Sequence, residues 1–163
     1  THPFPSLRVA LAAALGLHRR VQWDHDRSRY VDWAVGAALL IRRDAIDAIG
    51  HFDDRYFMYS EDIDWCWRAH RSGWRIWFDH EAVFLHVGNA SGAERFGDRR
   101  DAVVIANACR FYRTTHGRAQ TVAWRLLNAA GTLRLAVTSR LRGDRTAATR
   151  WRRQARAYVS QGR

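Results

Sequence analysis

Lysine is absent from this chain of 163 residues: all 27 basic residues are arginine. The bias reads first as the codon habit of a GC-rich genome and excludes no function. Cysteine is scarce. Cys66 and Cys109 stand single and far apart, which excludes a disulfide framework and a paired-cysteine zinc site. A reducing compartment suits them, so the cytoplasm is the expected location. The opening THPFPSLRVALAAALGLHRR places its arginines after the apolar stretch, the reverse order of a secretory signal. With Thr1 rather than methionine in first place, the sequence reads as one that begins mid-protein. There is no phosphate-cradling glycine loop, serine elbow or zinc-protease helix, and His80-Glu81 precedes His86 at the wrong spacing for that helix. Internal repeats and low-complexity segments are missing too.

What is present is a folded composition, 47% apolar, with an uneven charge. Residues 1–97 carry 12 Arg against 13 Asp and Glu, a net of −1, whereas residues 98–163 carry 15 Arg against 3 Asp, a net of +12. Such a tail suits nucleic acid, anionic lipid or a phosphate-bearing ligand, and charge alone does not choose among them. The division expected is therefore 1–97 and a basic helical tail, 98–163.

Residues 7–17 predict a short helix. The run VDWAVGAALLI, 31–41, predicts a buried strand in which Gly36 marks either a close approach to the backbone or a bulge. Asp44 is expected to cap a short helix ended by Gly50. Ser60 is expected to cap another over 61–72, with acidic residues in its first turn and Gly73 as its stop. Strands are expected at 74–78 and 82–86, then a loop over 88–100. The tail divides into helices over 98–117, 118–143 and 144–162, broken at Gly117 and capped by Asp144. The middle helix carries Val122, Leu126, Ala129, Leu133, Ala136 and Val137 on one stripe, but its arginines leave it short of the roughly 20 apolar residues a bilayer span needs. It suits lying on a membrane or packing on the domain.

On a helical wheel, Ile63, Cys66, Trp67 and His70 share one face and Glu61, Asp64, Trp65 and Arg68 the other, with Asp62 at the edge of the first. Asp64 can meet Arg68 on the solvent side, which leaves Asp62, at the edge of the buried face, with two readings: an acid that simply favours the first helical turn, or a candidate general base. His86 closes a predicted strand before a glycine-containing loop, a place for a metal ligand or a phosphate contact, although a lone histidine is more often structural.

In order, the sequence shows Trp33 with Gly36-Ala37, Arg42-Arg43, Gly50-x-Phe52-Asp53, Phe57-x-Tyr59-x-Glu61-Asp62-x-Asp64, Arg68, Gly73-Trp74, His86 and a small loop ending at Ser91. This series resembles the C-terminal half of the catalytic domain of family 2 glycosyltransferases, inverting enzymes of the α/β, Rossmann-like GT-A fold, and most of all the bacterial rhamnosyltransferase group that builds cell-wall and surface polysaccharides. His51, where a second glycine is usual, and His80, where proline is common, depart from the pattern. The resemblance implies that Asp62 is the catalytic base of a single inverting displacement. It also implies that His86 helps hold a divalent metal, Mg or Mn, whose other ligands come from an N-terminal half not matched here. Trp33, Gly36 and Ala37 would line the acceptor pocket, with Glu61 and Arg68 as substrate contacts. The implied partners are a nucleotide-sugar donor and a glycan or polyprenyl-diphosphate-linked acceptor at the inner membrane face, where the tail would meet an anionic surface. Without the nucleotide-binding half this chain would not transfer sugar alone. Two alternatives remain: a non-catalytic module that binds nucleic acid or another anionic surface through its arginine-rich helices, and an interaction remnant that has lost the enzyme.

Overall fold

The computed structural model describes residues 1–18, 24–86 and 95–161. The chain divides into two compact units, Thr1–Phe4 with Gln22–Gly97 and Pro5–Val21 with Asp98–Arg163.

In the first unit, β1 (Arg29–Val31) pairs antiparallel with β2 (Ile76–Phe78), Tyr30 opposite Trp77 and Val31 opposite Ile76. Side chains alternate across a strand, so Val31 and Ile76 face inward and Tyr30 and Trp77 outward. The buried cluster is Val31, Ala45, Trp65, Cys66, Ala69 and Ile76. Helices α2 (Arg43–Ile49) and α3 (Glu61–Arg71) supply most of it. Gly50, at φ 88°, ends α2 in the left-handed region where a Cβ is penalised. Asp44 lies in the first turn of α2, paired with Arg42 at 2.7 Å, and Arg42 takes the capping position expected of Asp44.

Two expected strands do not form. Residues 31–41 contribute only Val31 to β1 and an isolated bridge at Trp33 to His2; Gly36–Ala38 is a 3₁₀ turn and Leu40 is fully exposed. Residues 82–86 are irregular, with Val83, Phe84 and Leu85 at 86, 71 and 96% exposure. Both segments are apolar, but a strand needs a partner edge, and the local sequence does not carry one. Most of the loop expected over 88–100 lies outside the described residues, although Gly97–Arg99 forms a 3₁₀ turn.

The second unit contains α1 (Leu7–Ala14), capped by Ser6, whose hydroxyl accepts from Val9 N–H at 3.2 Å. The long α4 (Arg100–Leu141) is broken in its dihedrals at Gly117 (φ 81°, ψ 173°), where the sequence predicts a stop. Helix α5 (Arg145–Ser160) is capped by Asp144, which accepts from Ala147 N–H at 2.8 Å. Ala10, Ile105, Cys109, Tyr112 and Trp124 form its core, with Tyr112 and Trp124 stacked at 4.8 Å. At Gly131 a Cβ would stand 3.2 Å from Ala14 Cα, so α1 and α4 meet backbone to backbone there.

Among the described residues, the C-terminal carbonyls of three helices are met by an arginine from another element. Arg134 donates to Ala14 O at 2.9 Å and Ala13 O at 3.3 Å; Arg125 donates to Tyr158 O at 2.7 Å and Val159 O at 2.6 Å. At the end of α2, Arg68 donates to Ile49 O at 2.9 Å and His51 O at 2.8 Å, while Trp65 Nε1 takes Gly50 O at 2.8 Å. The last carbonyls of a helix have no intrahelical donor, and a guanidinium fork can serve two at once.

Candidate active site

Asp62 sits at the second residue of α3 and is 9% exposed. Its Oδ2 accepts from Gly36 N–H at 2.9 Å and its Oδ1 from its neighbour Ile63 N–H at 2.8 Å. The 3₁₀ turn Gly36–Ala38 is thus pinned to the start of α3 through this carboxylate. The close approach expected at Gly36 is real and is made by the peptide N–H. A Cβ there would meet Asp62 Cβ at an ordinary 3.5 Å. Ala37 is exposed next to it. Trp33, half-buried, donates from Nε1 to Pro3 O at 3.2 Å and lies against His2, ring centroids 5.3 Å apart.

The turn entering α3 is unusual. Tyr59 (φ 72°) and Ser60 (φ 78°) are both left-handed, and neither is glycine. Each costs about 1–3 kcal/mol unless its surroundings hold it. Ser60 occupies the N-cap position, but its side chain makes no capping bond, contrary to expectation. Phe96 lies 6.1 Å from the Tyr59 ring, and Arg95 stacks 5.4 Å over Phe57. Nothing in the sequence marks the paired left-handed residues, since Asn and Gly are the usual signals.

The wheel is corrected on its second face. Asp64 and Trp65 are buried, as are Ile63 and Cys66, while His70 is exposed. Asp64 does pair with Arg68, at 2.9 Å, but inside rather than toward solvent. α3 is buried on two sides because α2 closes over the Asp64 and Arg68 face. Arg68 is therefore engaged with Asp64 and the end of α2. Glu61 is half-buried beside Asp62, and its Oε2 is buried without a hydrogen-bond partner among the described residues. Burial, with the neighbouring Asp62 charge adding to it, raises the Glu61 carboxyl above its ordinary range. Burial pushes the Cys66 thiol up to about 11, so it stays protonated at neutral pH and is a core residue.

His86 is exposed at the end of an irregular segment. Among the described residues no three His, Cys, Asp or Glu side chains gather as a metal centre would require. The fold thus brings together Asp62, Glu61, Gly36 and Ala37, while Arg68 and His86 serve or stand elsewhere.

No family model matches the chain, and no solved structure matches it. Over 67 residues, 40% of this chain and 22% of the relative, it is 45% identical to the N-acetylglucosaminyl-diphospho-decaprenol L-rhamnosyltransferase of Mycobacterium tuberculosis (strain CDC 1551 / Oshkosh). It is 38% identical over 64 residues to rhamnosyltransferase WbbL of Escherichia coli (strain K12), 37% of this chain and 24% of that protein. A third relative, the low-salt glycan biosynthesis hexosyltransferase Agl10 of Haloferax volcanii, is 29% identical over 72 residues, 44% of this chain and 24% of that protein. The chain spans less than a quarter of the length of these relatives. Over some two-fifths of its residues, it is related to enzymes named for moving sugars.

Proposed function

We propose that this chain carries the acceptor-side, base-bearing part of an inverting glycosyltransferase of the GT-A fold, family 2. It would move a sugar, with rhamnose the first candidate, from a nucleotide-sugar donor to a glycan or polyprenyl-diphosphate-linked acceptor. The observation that carries the reading is the fixed carboxylate of Asp62 at the start of α3, which accepts from the backbone N–H groups of Ile63 and of Gly36 in the 3₁₀ turn. Each of its oxygens has a lone pair left to accept from an acceptor hydroxyl. In the step proposed, Asp62 takes the hydroxyl proton, the acceptor oxygen bonds to the anomeric carbon, and the nucleoside diphosphate leaves with the electrons of the broken bond. One displacement inverts the centre, so no nucleophilic side chain is required.

Trp33 would offer the acceptor a stacking face, Gly36 and Ala37 would leave it room, and Glu61 would shape the corner beside Asp62. The divalent cation that the resemblance implies does not fit the described residues alone, and the step above uses none. The acceptor's lipid would place the protein at an anionic membrane face. Asp62→Asn is expected to lower transfer by about 10²–10⁴-fold, the usual worth of a general base, with donor binding unchanged. The measurement is single-turnover transfer over a panel of nucleotide sugars in a protein carrying this segment; undiminished transfer would remove the assignment.

A further inference from the structure

We propose that the outer face of α4 from Val122 to Leu141, with the groove it shares with α5, docks in the plane of an anionic lipid bilayer. The proposal deepens the membrane part of the function given above and rests on that reading, but it is independent of the role of Asp62.

Val122, Leu126, Leu133 and Val137 recur at helical spacing and are 51–58% exposed, and Leu141 is 81% exposed. At 1.5 Å per residue they make an aliphatic strip about 29 Å long. Along one edge the strip runs into a groove of about 390 Å³ lined by Ala129, Leu133, Arg152, Ala155, Arg156 and Val159. Its floor is aliphatic, and both charged residues that line it are arginines. Arg125 keeps α5 in place beside it by holding the carbonyls of Tyr158 and Val159. Ala129 and Ala136, on the same expected stripe, are buried, so the exposed strip lies to one side of them.

The occupant follows from charge and polarity together. A second copy would bring one +12 segment against another. A nucleic acid would want cations at the centre of the contact, where this face has leucine and valine. An anionic bilayer satisfies both parts, since the strip enters the acyl boundary while Arg152 and Arg156 extend their stems along apolar surface and leave the guanidinium at the phosphates. No helix among the described residues is long and apolar enough to cross the membrane, so the helix would lie in the interface plane.

The test is co-sedimentation of the whole chain with phosphatidylcholine vesicles, with and without phosphatidylglycerol. Binding is expected only with the anionic lipid. Leu133→Gln with Val137→Gln should weaken it by about tenfold through lost apolar insertion. Arg152→Gln with Arg156→Gln should weaken it by about tenfold through lost attraction. Circular dichroism melts check that both variants fold, and the arginine pair stands as the independent variant should the first not fold. Asp62→Asn should bind as the wild type does, which separates docking from catalysis. Equal binding to neutral vesicles, wild-type binding by both folded variants, or an effect of the variants confined to DNA binding or to self-association would overturn the proposal.

Discussion

At the scale of single residues, the Asp62 carboxylate and the Gly36 peptide form one device, and each half can be tested. Gly36→Ala is expected to change stability by less than about 1 kcal/mol, because the added Cβ makes only ordinary contact with Asp62. Gly36→Pro should cost about 1–3 kcal/mol and reduce transfer, since it deletes the N–H that holds Oδ2. The backbone tolerates the ring: Val35 is extended (φ −67°, ψ 135°), and position 36 opens a helical turn. Chemical denaturation and transfer assays of the two variants distinguish a lost donor from a lost glycine. Glu61 gives a pH signature. Its carboxyl is raised in the folded chain, so its contribution to stability is greatest while it is protonated and is lost as pH rises through the raised value. Glu61→Gln should therefore raise the thermal midpoint at neutral pH and leave it unchanged below about pH 4.

At the scale of elements, Arg68 ties α3 to α2. Arg68→Leu should destabilise the first unit by about 2–3 kcal/mol, somewhat less than the 3–5 typical of a fully buried pair, because it strands Asp64 and the carbonyls of Ile49 and His51. Urea unfolding followed by tryptophan fluorescence measures it. Helix α3 was legible because its signals are local, with acids in the first turn and a glycine after the last. The tail helices were legible for the same reason, through Asp144 and Gly117. The strand expected over 31–41 failed because apolar content alone does not specify a neighbour, and Val31 finds Ile76 from 45 residues away. Asp62 was legible as the odd carboxylate of its helix. Its Gly36 partner could be named but not the bond between them, and the inward pairing of Asp64 with Arg68 depends on how α2 closes over α3. Arginine at 68, 125 and 134 likewise reads as surface charge in sequence, and only the fold reveals three helix ends that each use a two-pronged donor.

At the scale of the whole molecule, the surplus of positive charge in residues 98–163 acts on two equilibria in opposite senses. Salt screens repulsion within the helical unit, so its thermal midpoint should rise with sodium chloride, while attraction to anionic vesicles should fall. Melts and vesicle binding over one salt series check both signs together. The order in which the chain visits its two units has a further consequence. Residues 1–4 belong to the first unit, 5–21 to the second, 22–97 to the first again and 98–163 to the second. A cut at 97/98 therefore does not release a finished domain. It leaves α1 behind with Ala10 stripped of cover and the carbonyls of Ala13 and Ala14 without Arg134. The basic helices are thus no detachable appendage, and a recombination event that exchanged them would have to replace α1, at the opposite end of the sequence, in the same stroke.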